Sequence, residues 1–109
     1  MTQPSNGNGS SKVTVYIDPD LETIVPQFLE NRRKDLAALT SAIQGNDLKT
    51  VRLLGHRMKG DGGGYGFHEI SRIGEVLEQA ALREDREVIK QQAAALARFL
   101  AQVQVVYRP

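Results

Sequence analysis

Apolar residues recur every three or four positions through most of the chain, in four successive segments. This spacing places them on one face of a helix, so each segment is predicted to be helical and amphipathic. The last segment keeps its period to Val106 or Tyr107, which corresponds to about six turns. Short connections separate the segments, at Gly45, 64–67 and 83–85. Helices joined in this way pack as antiparallel neighbours, so the sequence predicts an all-α fold, an up-down antiparallel four-helix bundle.

The residues before the first long helix are predicted to be less regular. Residues 1–12 are almost devoid of apolar side chains, so we expect a disordered tail followed by a single domain over residues 13–109. Val13–Ile17 alternates apolar and polar residues like a strand, but no second strand candidate is present to pair with it. An extended N-terminal arm packed on the helices is therefore expected. Pro26 interrupts the first apolar segment and predicts a short additional N-terminal helix before a longer one.

Composition narrows the classes of function. The 109 residues include no cysteine, which excludes disulfides and thiolate chemistry, and two histidines are too few for a metal site. The net charge is +1, so we expect no nucleic-acid binding, and the basic run Arg32-Arg33-Lys34 is interpreted as a solvated helix face. No apolar run approaches the roughly 20 residues of a membrane span, and the first residues lack the apolar stretch of a secretory signal. A cytoplasmic protein without membrane partners is expected.

The segment LGHRMKGDGGGYG, residues 54–66, places a histidine and several glycines in the second predicted helix. On a helical wheel with Val51 at zero, Leu54 and Met58 fall within about 60° and form the inward stripe. His56 lies about 140° from Val51, so it is predicted to face outward. Basic residues share this outer sector, namely Lys49, Arg52 and Lys59.

A histidine in this setting is suited to nucleophilic chemistry. Neutral imidazole is a competent nucleophile near neutral pH, and a phosphoryl group taken up by His56 would find a cation in Lys59, three residues later. Gly60 and Gly63 leave the same face free of side chains, so that a second protein could approach the ring. A lone exposed histidine is more often an ordinary surface residue, which is how His68 is interpreted. The order His-x-x-Lys-Gly with further glycines favours a function for His56.

These residues resemble the signature of the histidine-containing phosphotransfer (Hpt) domain. In this sequence the residues that match the signature are His56, Met58, Lys59, Gly60, Gly63, Tyr65 and Gly66. The resemblance covers about 17–107 in helix number, order and length. It implies a four-helix bundle whose histidine accepts a phosphoryl group from the aspartate of one receiver domain and passes it to the aspartate of another. His56 would then be the phosphoacceptor, Lys59 the phosphate-stabilising residue and Gly60 the residue that gives access.

Two positions depart from the pattern of this family. Asp61 stands where a small residue is usual, although the wheel places it on the other side of the core stripe from His56. Where some members carry a glutamine that orients the histidine, this chain has Glu78, followed by Gln79. A carboxylate bonded to one imidazole nitrogen would fix the tautomer, and both Glu75 and Glu78 are candidates for that role.

The resemblance also implies the partners: a response-regulator receiver domain, a hybrid histidine kinase, or both. The sequence has neither an acidic cluster suited to Mg²⁺ nor a nucleotide-binding loop, so we expect no cofactor here and Mg²⁺ on the partner's receiver domain. The protein is then expected to be a monomer and a carrier without turnover of its own. Four residues are predicted to contact the partner, namely Lys49, Arg52, Leu53 and Gly63.

Two other classes of function remain open. A docking module that binds a histidine kinase or response regulator without taking phosphate would use the same outer face. An enzyme with His56 as general base is disfavoured, because no second catalytic group lies near it in the sequence.

Overall fold

The computed structural model describes residues 12–109, so the predicted disordered tail lies outside the described residues except for Lys12. The described part of the chain forms, in order, β1 (Val13–Ile17), α1 (Val25–Gln44), α2 (Leu48–Tyr65), α3 (His68–Leu82), α4 (Arg86–Gln102) and β2 (Val103–Tyr107). The prediction of a mostly helical fold with four helices is confirmed. The strand pair is an addition that the sequence did not predict.

Polar residues and one glycine determine where the helices begin and end. Asp47 caps α2 by accepting a hydrogen bond from the amide of Thr50, and Asp85 caps α4 by accepting one from the amide of Val88. The hydroxyl of Thr50 also donates to Asp47, and these bonds hold the pKa of that carboxyl below its usual value. Gly66 follows α2 with φ of 86°, a left-handed conformation that favours glycine.

The predicted short N-terminal α-helix is not formed. Pro19–Leu21 makes a single 3-10 turn, and a carboxylate oxygen of Asp18 caps it by accepting from the amide of Asp20. Helix α1 begins at Val25, with Pro26 in its first turn. An amide at that position has no partner within the helix, so the missing N–H of proline costs nothing there. Pro26 therefore starts the long helix and does not divide an earlier one.

Val13–Ile17, predicted to be an extended arm, forms a strand. Val103–Tyr107, predicted to be the end of the last helix, forms the strand that pairs with it. β1 and β2 pair in parallel, with a register that runs from Val13↔Val103 to Ile17↔Tyr107. The residues of β2 fit a helical period, which explains the wrong prediction, but three of the five are valines, whose β-branched side chains favour a strand. Parallel strands need a long crossover connection. Here the whole helical bundle is that connection, so the strand pair joins the two ends of the domain.

One core extends through all four helices and takes in the end of β1. Ile17 is buried beside the helices although it belongs to the strand pair. Aromatic rings fill the end of the core near the α2–α3 turn, where the ring of Phe28 lies 4.5 Å from that of Tyr65 and 5.0 Å from that of Phe67. The largest fully buried side chains are those of Ile17, Val25, Leu39, Val51, Met58, Phe67, Ile70, Ile73, Leu77, Ile89 and Leu96.

The basic run in α1 is not uniformly solvated, which corrects the interpretation drawn from charge alone. Arg32 is buried, with its guanidinium 4.7 Å from the centre of the Phe28 ring and 2.9 Å from a carboxylate oxygen of Asp35. It also donates to Asp61 of α2 at 3.3 Å, and Asp35 accepts from Arg57 of α2 at 2.7 Å. These paired charges connect α1 to α2, whereas the other two basic residues of the run are exposed.

Helices α2 and α3 approach each other so closely that three positions in their contact require glycine. A Cβ atom on Gly55 would lie 2.7 Å from the amide nitrogen of Glu78, and one on Gly74 would lie 2.5 Å from the amide nitrogen of Lys59. A Cβ on Gly62 would lie 2.6 Å from a backbone nitrogen of α3. Real Cβ atoms essentially never come within 3.0 Å of such atoms. The backbone of α3 therefore packs directly against α2 at the level of the predicted functional histidine.

Gly74→Ala is expected to lower the free energy of unfolding by about 1–3 kcal/mol, because the new methyl group would overlap the backbone of α2. Urea unfolding followed by circular dichroism measures this change. Gly64→Ala is the matched control: Gly64 also lies in a helix, but no described atom beyond its chain neighbours and its own helix backbone comes within 4 Å of its Cβ position. That variant should be stabilised, by up to about 1 kcal/mol. Equal stabilities of the two variants would contradict the close approach of α2 and α3.

Candidate functional site

His56 lies near the middle of α2 and points to solvent. Its side chain is 69% exposed, whereas Val51, Leu54 and Met58 on the same helix are buried. This is the arrangement that the helical wheel predicts. The ring therefore stands on an open surface, supported from beneath by a helix whose other face is fixed in the core.

Glu78 of α3 holds the imidazole. Its Oε2 lies 2.9 Å from Nδ1 of His56, and its side chain is only 14% exposed, so water competes little for the carboxylate. An ionised carboxylate can only accept, so Nδ1 carries the proton and donates it in this bond. Nε2 is then the nitrogen with a free lone pair, and it has no hydrogen-bond partner among residues 12–109. Of the two candidate orienting residues, the structure assigns this contact to Glu78.

Lys59 lies one turn after His56 and contacts the other candidate carboxylate. Its Nζ is 2.6 Å from Oε1 of Glu75 and 3.9 Å from Oε1 of Glu78. The hydrogen bond and the negative charge of Glu75 hold the pKa of the Lys59 ammonium above its usual value. The four side chains therefore form a connected set on one surface, which we call the acceptor cluster: His56, Lys59, Glu75 and Glu78.

The glycines beside the acceptor cluster differ in what surrounds them. Apart from its chain neighbours and the backbone of its own helix, no atom of the described residues lies within 4 Å of a Cβ placed on Gly60, so this position opens onto solvent. Gly63 is exposed too, but a Cβ there would be in ordinary contact with Oγ of Ser71, at 3.7 Å. That hydroxyl donates to the carbonyl oxygen of Lys59 at 2.7 Å and so connects α3 to α2. Gly64 lies within α2 and not in the turn where it was predicted.

The remaining predicted contact residues lie before His56 on α2. Leu53 is 51% exposed, which is unusual for a large apolar side chain and fits a contact surface. Lys49 is exposed and Arg52 is half-buried, so both leave positive charge on this helix. The structure thus places apolar and basic groups within two turns of the acceptor cluster.

A comparison with models of protein families matches residues 23–105 to the Hpt domain. The chain belongs to the Hpt domain family. No curated protein and no solved structure gives a significant match to it. Membership implies a phosphotransfer role in two-component phosphorelay signalling, with histidine kinases and receiver domains as the kinds of partner. Hpt domains are generally carriers and not enzymes that turn over a substrate.

The first of the two departures from the family pattern, Asp61, is accounted for by an ion pair. Asp61 is directed towards α1, where it accepts from the buried Arg32. Its charge is therefore compensated on the opposite side of α2 from His56. An acid at this position does not add to the charge of the acceptor cluster.

Sequence reasoning did not decide between Glu75 and Glu78, although a usable signal is present. Gly55 and Gly74 stand in the middle of two neighbouring helices, where glycine is unfavourable unless backbones come close. Pairing these two glycines places Glu78, one turn after Gly74, next to the turn that carries His56. The hydroxyl of Ser71 gave no signal, because a half-buried serine in a helix has no distinctive spacing.

No helix in residues 12–109 is both long and apolar enough to cross a membrane. In the same residues, the side chains of His, Asp and Glu do not assemble into a group of three or more that could hold a metal ion. The expectation that Mg²⁺ belongs to the partner stays a prediction.

Replacing Glu78 by alanine is expected to change the tautomer of His56. In the unaltered Hpt domain the proton should be on Nδ1, because that nitrogen donates to Glu78. In Glu78→Ala this preference should be lost, and the population with the proton on Nε2 should rise. Long-range ¹H–¹⁵N correlation spectra of the imidazole measure both populations at a pH where the ring is neutral. Glu75→Ala is the control and should leave the tautomer unchanged; an equal shift in both variants would contradict the assignment of Glu78.

Proposed function

We propose that this Hpt domain is a phosphoryl carrier in which His56 accepts the phosphoryl group from a receiver-domain aspartate and passes it to another receiver aspartate. The observation that carries the proposal is the bond from Nδ1 of His56 to Glu78, because it directs the other nitrogen's lone pair away from α3. Gly60 leaves space beside the ring that a partner's reacting group needs. Membership of the Hpt family supports the same reaction.

The transfer balances without loss of a proton from the ring. The lone pair on Nε2 forms the N–P bond while the P–O bond of the aspartyl phosphate breaks, and the electron pair of that bond stays on the aspartate carboxylate. The ring becomes an imidazolium that still carries its proton on Nδ1. Glu78, already bonded to that proton, offsets the new positive charge. The reverse sequence delivers the phosphoryl group to the next aspartate.

Lys59 supplies the cation that the phosphoryl oxygens need once they are attached to His56. Its flexible stem is half exposed, so the ammonium can turn from one partner to another. Phosphoryl transfer also requires that the negative charge of the phosphoryl oxygens be neutralised on the donor. We assign this role to Mg²⁺ held by the receiver domain. The carrier itself would need no cofactor and would have no turnover of its own.

The partner would dock on the exposed side of α2. Leu53 offers an apolar contact, and three further residues surround the reactive face: Lys49, Arg52 and Gly63. A carrier must release one partner before meeting the next, so a small interface and a monomeric carrier suit this role. A cytoplasmic location fits receiver-domain partners and belongs to the same proposal.

His56→Gln should abolish acid-labile phosphorylation by a phosphorylated receiver domain. The exposed position of the side chain predicts that the fold and the melting temperature stay unchanged. Incorporation of ³²P from a labelled receiver, followed by acid treatment, measures the outcome. His68→Gln is the control, because His68 is also an exposed histidine and lies outside the acceptor cluster. Acid-labile label on His56→Gln would contradict the proposal.

The rival function is a docking module that takes no phosphate. Experiments on the unaltered domain and on its variants distinguish a docking module from a carrier. If the domain only docks, it should bind receiver domains with an affinity indifferent to His56→Gln and Lys59→Ala, and the unaltered domain should acquire no label. If the domain is a carrier, Lys59→Ala should slow label transfer at least tenfold, because the developing charge on the phosphoryl oxygens would lose its cation.

Gly60→Leu should slow phosphoryl transfer at least tenfold while leaving the fold intact. A leucine at this position would project into the space beside His56 that no described atom occupies, and it would obstruct the approach of the receiver aspartate. Rapid-quench measurement of transfer from a receiver domain gives the rate. Gly64→Leu is the matched control: its surroundings are equally open, but it lies one turn further from His56. Equal slowing by both variants would contradict a specific role of Gly60 in access.

A further inference from the structure

The acceptor cluster contains two carboxylates but only one lysine. Glu78 contacts His56, and Glu75 contacts Lys59. The Nζ of Lys59 lies 2.6 Å from Oε1 of Glu75. The proposed function uses Glu78 and Lys59 directly and gives no role to Glu75. Yet Glu75 makes the shorter contact with the ammonium that a phosphoryl group on His56 would require, since Glu78 lies 3.9 Å from it.

We propose that Glu75 competes with the phosphoryl group of His56 for Lys59 and thereby lowers the stability of phosphohistidine in this chain. The inference rests on the proposed function and deepens it, because it concerns how tightly the same site holds its phosphoryl group. Glu75 is a positioning residue in this scheme: it acts through Lys59 and does not touch the reacting atoms.

The competition follows from the charges before and after transfer. Before transfer, Lys59 offsets Glu75, and the neutral ring of His56 needs no cation. Transfer attaches two negative charges on the phosphoryl oxygens and one positive charge on the ring, so the site gains one net negative charge. The ammonium of Lys59 can turn towards the phosphoryl group only by leaving Glu75 or by being shared with it. Either arrangement places two anions around one cation well within the Debye length of about 8 Å.

A weakly held phosphoryl group suits a carrier. Phosphohistidine that is stabilised too strongly would be slow to pass its phosphoryl group to the next aspartate. A nearby carboxylate that takes back the lysine raises the free energy of the phosphorylated state and not that of the unphosphorylated state. Glu75 would therefore shift the equilibrium of phosphoryl transfer from the carrier towards the receiver aspartate.

The test compares the stability of each variant with and without phosphate on His56. Phosphoramidate phosphorylates exposed histidines chemically, so no receiver domain is needed. All variants carry His68→Gln so that His56 is the remaining histidine. Urea unfolding at a mildly alkaline pH, where phosphohistidine survives and the Lys59 ammonium stays charged, gives the factor by which phosphorylation changes the equilibrium constant of unfolding. Glu75→Gln should shift that factor by about two- to fivefold in favour of the folded phosphorylated state, which is the range expected of one exposed ion pair.

Glu69→Gln is the matched control. Glu69 lies on the same helix and contacts Arg72 at the same distance, 2.6 Å, as Glu75 contacts Lys59. The exposed fractions of the two pairs are also alike, 44% and 51% against 44% and 47%. Removing this second carboxylate should leave the phosphorylation factor unchanged.

Adding Lys59→Met shows whether Glu75 acts through the lysine. In that background Glu75→Gln should lose at least half of its effect, because no ammonium remains to compete for. An unchanged factor in Glu75→Gln, or a shift that destabilises the folded phosphorylated state, would overturn the inference. So would an effect of the same size in Glu69→Gln. Failure of the proposed function gives a different result: receiver domains would not label His56, while this chemical test would still report on Glu75.

Discussion

The close packing of α2 against α3 is the constraint on which the candidate site depends. Gly55 and Gly74 let the two backbones approach to distances that any side chain would prevent. This approach brings Glu78 within 2.9 Å of His56 and lets Glu75 reach Lys59. Widening the helix contact by the thickness of a methyl group would move Glu78 away from His56 while leaving each helix intact. The bond between His56 and Glu78 therefore depends on two buried glycines that lie between the helices.

The charges along α2 are divided between its two neighbouring helices. On the side of α1, Asp61 is offset by Arg32, and Arg57 contacts Asp35. On the side of α3, the acceptor cluster collects the two glutamates around a histidine and a lysine. The ion pairs that face α1 have no net charge, because each aspartate is matched by an arginine. The net charge of the acceptor cluster therefore depends on its own members. This division explains why an acid at position 61 is compatible with an Hpt site, and why the single lysine of the cluster matters.

The predictable parts of this molecule are those encoded by local spacing. Apolar periodicity predicted the four helices and the outward direction of His56, because both follow from the geometry of a single helix. The strand pair was missed because Val103–Tyr107 satisfies a helical period and a strand equally well, and its partner lies at the other end of the chain. The residue bonded to His56 was undecided, and the contact of Lys59 with Glu75 was not predicted, for a related reason: both depend on the rotation of α3 about its axis. Burial of Arg32 was missed because charge patterning does not reveal a partner 29 residues away.

The glycines of α2 show how one helix can combine an open face with stability. Gly60 and Gly64 weaken the helix by roughly 1 kcal/mol each relative to alanine, and an isolated segment of this composition would be a poor helix. Contacts outside the helix compensate for that weakness. Gly62 packs against α3, Ser71 bonds to the carbonyl of Lys59, and the end of the helix is held by an aromatic cluster and by Ile17 of β1. The strand pair thus has a consequence for the site, because it fixes the residue that packs where α2 ends. A helix stabilised from outside can leave the face that carries His56 bare, which a helix dependent on its own side chains could not.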